Sequence, residues 1–144
     1  MKVKEQTEAK FSGWCKSKGY YRIKLQVNVD YGRVGFMKAR AMPADFLVLS
    51  KDKTFFVEVK EVLKADSFPT SRFRQQFKLT KLSNTFPNSH VKCYILINFV
   101  AHNKVALIEV NRYFNLCNKV NQKSLKISKI PAKCLFDWKT LRLD

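Results

Sequence analysis

The stretch ADFLVLSKDKTFFVEVKEV, residues 44–62, decides the fold because it encodes two strands and the connection between them. Residues 44–49 are apolar apart from Asp45, and residues 54–62 are rich in the β-branched and aromatic residues that strands favour. The polar residues 50–53 between them are typical of a turn. The pattern therefore predicts a β-hairpin.

The chain before the hairpin predicts one helix, one strand and one irregular segment. Apolar side chains recur at helical spacing through residues 3–17, which predicts an amphipathic helix that ends near Gly19. Residues 20–29 alternate in part between apolar and polar side chains and predict a strand. Residues 30–42 are basic and contain two glycines, which indicates a loop or an irregular hairpin arm.

The chain after the hairpin completes a layered domain. The predicted elements are a break at 67–70, a helix at 73–83, an apolar central strand at 91–100, a strand at 105–110, a short helix at 112–121 and a basic tail at 122–144. The order of helix, three strands, helix, two strands and helix predicts a mixed α/β fold. The length of 144 residues fits a single domain, residues 1–144.

The charge balance points to a polyanionic partner. Lysine and arginine number 28 against 11 acidic residues, which gives a formal net charge of +17. Such an excess attracts polyanions, of which nucleic acid is the commonest. A ribosomal-type or merely lysine-rich protein would have the same composition, so charge alone does not choose between these classes.

The cysteines and the first residues indicate a reducing compartment. Cys15, Cys93, Cys117 and Cys134 show no C-x-x-C pairing and no close histidine, so no zinc site is predicted. Residues 1–10 are charged and lack the apolar core of a signal peptide, and no apolar run reaches membrane-spanning length. We expect a cytoplasmic protein of a bacterium or a phage-infected cell, with no membrane association.

Two carboxylates and one lysine are expected to converge on the predicted hairpin. Glu58 and Lys60 are two positions apart on one strand, so their side chains share a face. A turn at residues 50–53 places Asp45, thirteen residues before Glu58, across from this pair. A solvated salt bridge on a surface hairpin would have the same spacing and is the structural alternative.

Such a group has the chemistry of a metal-dependent nuclease. The hard carboxylate oxygens of Asp45 and Glu58 would hold Mg²⁺ together with water and phosphate. The metal lowers the pKa of a bound water and offsets the charge that develops on the scissile phosphate. The ammonium of Lys60 would orient the attacking water or stabilise the transition state.

These residues resemble a known nuclease signature. P-A-D at 43–45 followed by V-E-V-K at 57–60 is similar to the PD-(D/E)xK motif, and within that superfamily the RecU-type Holliday-junction resolvases are the most similar. Their Asp is followed thirteen residues later by E-x-K-E. The matching positions here are Asp45, Glu58, Lys60 and Glu61, then Ser67, Phe68, Pro69, Phe73, Gln75 and Gln76, and a late Ile130-Pro131 turn.

The resemblance implies a fold and an activity. It implies a restriction-endonuclease-like core, in which helices flank a mixed central β-sheet. It also implies a homodimeric, Mg²⁺-dependent endonuclease that makes paired nicks in four-way DNA junctions during recombination and repair, and we expect Mn²⁺ to substitute for Mg²⁺. Residues 30–42 would be a shortened form of the stalk that RecU-type enzymes insert, and residues 122–144 a basic C-terminal segment.

Further site residues follow from the resemblance. An acidic residue of the first helix completes the metal shell in this family, and Glu5 and Glu8 are both candidates. Glu8 is favoured because it lies closer to the apolar stripe of that helix. Gln75 or Gln76 would position water or phosphate.

A set of cations is expected to contact DNA phosphates. They are Arg33, Lys38 and Arg40 on the predicted arm, and Arg72, Arg74, Lys78 and Lys81 on or before the helix that carries the glutamines. For the second group, a solvated helix face is the alternative interpretation.

Two other functions remain open at this point. One is a restriction-type or repair-type nuclease of the same fold that acts on duplex or flap DNA. The other is a DNA-binding protein that has this fold and does not use a metal site. The presence of acid, acid and lysine together favours an enzyme.

Overall fold

The hairpin predicted from residues 44–62 is present and lies within the main sheet. The computed structural model of the protein describes residues 3–25, 44–73, 76–86, 90–117 and 122–143. Its helices and strands are, in chain order, α1 (Val3–Ser17), β1 (Tyr21–Lys24), β2 (Phe46–Leu49), β3 (Thr54–Val62), β4 (Ser67–Pro69), α2 (Gln76–Thr85), β5 (Val91–Phe99), β6 (Lys104–Glu109), α3 (Val110–Cys117), β7 (Ser124–Lys126) and β8 (Leu135–Phe136).

The main sheet is mixed, as predicted. Its strand order is β1-β2-β3-β5-β6-β8. The pair β3 and β5 is parallel, and the other neighbours are antiparallel. β5 lies between β3 and β6, and its residues from Cys93 to Phe99 are buried, which confirms the prediction of a central apolar strand.

The two faces of the sheet are covered by different helices. On one face, Phe11 and Trp14 of α1 pack with Phe46 of β2 and with Val57 and Val59 of β3. On the other face, the core includes Val62 of β3, Leu79 of α2, Ile95 and Ile97 of β5 and Tyr113 of α3. These contacts confirm a central sheet flanked by helices.

Several predicted boundaries differ from the observed ones. The segment at 67–70, predicted as a break, contains β4, which pairs with β7 in a second, two-stranded sheet. The reason is burial, because Phe68 is fully buried and lies opposite the buried Leu125. The helix predicted from 112 begins at the buried Val110, and the predicted tail at 122–144 contains β7 and β8.

The second half of the predicted strand at 20–29 and the arm at 30–42 lie outside the described residues. Among the residues that the structure describes, no helix has the length and apolarity needed to cross a membrane.

The four cysteines are free and buried. Burial raises the pKa of the Cys15 thiol and that of the Cys93 thiol to about 12. Cys15 belongs to the core that contains α1, and Cys93 belongs to the core on the opposite face of the sheet. These thiols therefore behave as small apolar side chains of the two cores. Cys117 and Cys134 also belong to the core that contains Cys93.

Candidate active site

The hairpin brings Asp45 to the backbone of β3. The backbone N–H of Val59 donates a hydrogen bond of 2.9 Å to Oδ2 of Asp45. On its other side, the N–H of Leu25 donates to the backbone carbonyl of Asp45 at 2.7 Å. Asp45 is therefore fixed between β1 and β3, with its carboxylate at the residue that separates Glu58 from Lys60.

Glu58 is a buried carboxylate with a lysine as partner. Only 1% of Glu58 is exposed, and Nζ of Lys60 lies 3.1 Å from its Oε2. The Lys60 side chain is itself only 12% exposed. Taking a carboxylate out of water is costly unless it is paired, so this ion pair accounts for a charged residue inside an apolar sheet. The predicted sharing of one face by Glu58 and Lys60 is confirmed.

Strand alternation gives the direction of this pair. Val57 and Val59 pack in the core that contains α1, whereas Val62 packs in the core on the opposite face. Successive side chains of a strand point to opposite faces, so Glu58 and Lys60 point away from α1.

The acids of the first helix are placed differently. Glu8 is 8% exposed, and its Oε2 lies 3.4 Å from Nζ of Lys24 on β1. Glu5 lies in α1, and its side chain is outside the described part of the structure. Within the described ranges, no three acidic, histidine or cysteine side chains lie close enough together to hold a metal ion.

The donor set that the hairpin does provide fits magnesium. Asp45, immediately before β2, and Glu58 on β3 supply two carboxylates, and Lys60 adds an ammonium next to Glu58. Mg²⁺ is usually held by one or two carboxylates, with water and substrate phosphate in the other positions. A soft metal that requires thiolates does not fit this donor set.

The predicted residues of the glutamine helix are only partly described. Gln76 is the first residue of α2, and its side chain, like Gln75 and Arg74, lies outside the described residues. Lys78 and Lys81 lie on α2 with exposed side chains.

The cations predicted on the basic arm cannot be placed either. Arg33, Lys38 and Arg40 lie outside the described residues, so their role in DNA contact stays a prediction.

Arg72 has a defined set of contacts. Its Nη1 donates to the backbone carbonyl of Glu61 at 2.8 Å, and its Nη2 donates to Oε1 of Glu61 at 3.1 Å. Its guanidinium also lies 5.5 Å from the centre of the Phe68 ring. Arg72 therefore connects the segment after β4 to the residue that follows Lys60, a contact that the sequence analysis did not predict.

A second polar contact missed by the sequence analysis connects α1 to β5. The side-chain amide of Asn98 donates to Oγ1 of Thr7 at 3.2 Å, and both residues are buried. Asn98 lies beside Glu61 in the parallel register of β3 and β5. The signal that could have revealed it is an asparagine within the otherwise apolar sequence ILINFV, because a buried amide needs a partner.

Comparison with known proteins identifies the fold of the chain. No protein-family model matches the sequence, and no curated protein matches it. Among solved structures, the chain is similar to Hjc, a Holliday junction resolvase from the archaeal hyperthermophile Archaeoglobus fulgidus. The TM-score is 0.57 at 11% sequence identity, and the similarity covers 88% of this chain and 91% of that one. The chain therefore has the same fold as Hjc over most of its length.

Proposed function

We propose that the protein is a Mg²⁺-dependent DNA endonuclease of the PD-(D/E)xK type, and specifically a Holliday-junction resolvase that acts as a homodimer. The observation that carries the proposal is the arrangement around Val59, in a fold similar to that of a resolvase. The Asp45 carboxylate contacts the backbone of Val59, and the ion pair of Glu58 and Lys60 lies on either side of that residue. The net charge of +17 supports a DNA substrate. The dimer follows from the need to cut two opposed strands.

Each residue of the hairpin has a role in the proposed reaction. Asp45 and Glu58 would hold the metal through their carboxylate oxygens. The bound ion supplies a Lewis acid and a water of lowered pKa. Lys60 would donate a hydrogen bond to a phosphate oxygen, because its ammonium is the cation next to these carboxylates. Such a donor stabilises the negative charge that develops when the phosphodiester is attacked.

Residues around the hairpin would complete the site. Gln75 or Gln76 would position water or phosphate. The described residues do not bring Glu8 together with Asp45 and Glu58, and α1 covers the face opposite to Glu58 and Lys60, so a place for Glu8 or Glu5 in the metal shell stays a prediction. The carboxylate of Glu8 already has a cationic partner, Lys24. Mn²⁺ would substitute for Mg²⁺ because both prefer oxygen ligands.

The test compares cleavage of three substrates of equal sequence: a four-way junction, a flap and a linear duplex. We expect paired, symmetric nicks on the junction that need Mg²⁺ or Mn²⁺. Glu58→Gln should lower the rate by about 100-fold or more, because it removes a charged metal ligand. Asp52→Asn is the matched control, since Asp52 is an exposed acid in the turn of the same hairpin.

The other outcomes separate the alternatives. Cleavage of the linear duplex at the same rate as the junction would replace the resolvase proposal with a restriction-type or repair-type nuclease. Tight DNA binding without cleavage, unchanged by Glu58→Gln, would reject the enzyme and leave a DNA-binding protein.

A further inference from the structure

We propose that the pocket lined by Arg112, Lys133 and Arg142 binds a phosphate group of DNA, at a site separate from the Asp45–Glu58 carboxylates. The proposal rests on the proposed function only in taking DNA as the ligand. It does not depend on cleavage or on a metal. The site would give the basic C-terminal segment a role in holding the substrate.

The pocket lies along β6, next to the point at which the pairing of β6 with β8 ends. β8 pairs with β6 at Val105 and Ala106. A cavity of about 180 Å³ lies beyond that pairing, with Leu107 and Glu109 of β6 in its wall. The three cations come from three different segments: the first turn of α3, the 3-10 turn before β8, and the chain after β8.

The charge of the pocket favours an anion. Its lining contains three cationic side chains and one acid, Glu109, which leaves an excess of two positive charges. Tyr94 and Leu107, which are 8% and 5% exposed, line the part of the pocket next to the core. An anion bound against these nearly buried residues interacts with the cations more strongly than it would in open water.

The backbone that carries the three cations is anchored by buried neighbours. Arg142 lies between Leu141 and Leu143, which are 1% and 6% exposed. Cys134, next to Lys133, and Tyr113, next to Arg112, are also buried. The backbone at all three positions is therefore anchored in the core before a ligand binds, which lowers the entropy lost on binding.

The size of the pocket selects the ligand. Sites for drug-sized molecules usually measure about 300–1,000 Å³. A volume of about 180 Å³ is too small for such a ligand and suits a single phosphate group with water. The phosphate could come from the DNA backbone or from a 5′ end, and both sources have the same recognition chemistry.

The pocket can be altered without touching the candidate active site. Tyr94, Leu107 and Val57 belong to the core that contains α1, so the strand positions that line the pocket point to that face. Glu58 and Lys60 point to the opposite face. In the strand order, β5 and β6 also lie between β3 and the edge of the sheet at which the pocket opens.

The experiment measures DNA affinity without metal at several salt concentrations. The test variant is the double substitution Arg112→Gln and Lys133→Gln. The matched control, Lys126→Gln and Lys129→Gln, removes the same charge from exposed positions of the C-terminal segment. We expect the test variant to bind a duplex about tenfold more weakly and to lower the salt slope by about one, whereas the control changes affinity by less than about twofold. Equal losses in both variants would overturn the proposal.

Further arms identify the source of the phosphate and separate this proposal from the proposed function. If the pocket binds a backbone phosphate, the test variant should lose the same affinity for duplexes with and without 5′-phosphates. A loss that occurs only with 5′-phosphorylated duplexes assigns the pocket to a terminal phosphate. A thermal midpoint equal to that of the wild type shows that the test variant is folded. A protein that shows the selective loss but cuts no DNA would reject the proposed function alone.

Discussion

Two buried glutamates of this protein each have a lysine partner, and the two pairs differ in a way that bears on function. Glu58 and Lys60 are neighbours on one strand, 3.1 Å apart, and the lysine side chain is 12% exposed. Glu8 and Lys24 join α1 to β1 at 3.4 Å, and the lysine side chain is 44% exposed. The first pair is enclosed by the sheet and its core, whereas the second can exchange its lysine for water or for another cation.

The largest expected effect comes from breaking the enclosed pair. Lys60→Met should destabilise the protein by about 3 kcal/mol, because it leaves the Glu58 carboxylate buried without its cation. Lys24→Met should cost less than about 1 kcal/mol, because the Lys24 side chain is 44% exposed and water can take its place at the Glu8 carboxylate. Urea unfolding of the two variants measures both values.

The double variant Glu58→Gln with Lys60→Met provides the control for that comparison. It removes both charges and should recover a large part of the lost stability. Equal destabilisation by Lys60→Met and Lys24→Met would show that enclosure does not distinguish the two pairs.

The second prediction concerns metal affinity at the exposed pair. If Glu8 adds a carboxylate to the metal shell, Glu8→Gln should raise the Mg²⁺ concentration for half-maximal cleavage by about tenfold. Lys24→Gln should lower that concentration or leave it unchanged, because it removes a cation that competes for the same carboxylate. Cleavage rates over a series of Mg²⁺ concentrations test both. An unchanged Mg²⁺ requirement in Glu8→Gln would limit Glu8 to joining α1 and β1.

A smaller effect is expected at the third acid–base contact, between Arg72 and Glu61. Arg72→Lys keeps the charge but loses the two-point contact with the backbone carbonyl and the carboxylate of Glu61. Because the Arg72 side chain is 40% exposed, the stability loss should be about 1 kcal/mol. Thermal unfolding measures it, and Lys64→Ala, an exposed lysine between β3 and β4, is the control. A loss no larger than that of the control would contradict a structural role for the contact.

The contrast between local and distant contacts also explains what the sequence could predict. The hairpin and the Glu58–Lys60 pair depend on a two-residue period and a short turn, so their geometry follows from neighbouring residues. The pairing of β4 with β7 joins Phe68 to Leu125 across most of the second half of the chain, and three-residue strands have too little periodicity to indicate it. The contact of Asn98 with Thr7 depends in the same way on how α1 docks on the sheet.

The smallest effect concerns the two faces of the sheet, whose opening can be followed by the labelling of buried thiols. Cys15 reports on the α1 face, and Cys93 reports on the opposite face, whose core also contains Cys117 and Cys134. Burial raises the pKa of Cys15 and of Cys93 from 9.0 to about 12. Both thiols should therefore resist maleimide at pH 8 in the folded protein and react only when the core on their face opens. Mass spectrometry of the labelled peptides measures the rate at each cysteine separately, and the single variants Cys15→Ala and Cys93→Ala confirm which peptide carries which label.

The same raised pKa values fix the direction of a pH effect. The folded state keeps its thiols protonated above pH 9.0, where the unfolded chain loses those protons. The contribution of these thiols to stability is therefore complete below pH 9.0 and is lost as the pH rises toward 12.

The two faces are also expected to open at different rates. The Lys24 side chain that pairs with α1 is 44% exposed, so we expect α1 to detach from the sheet more readily than the helices of the opposite face. Cys15 should then label faster than Cys93. Equal labelling rates at all pH values would mean that both faces open together, in a single cooperative unfolding step.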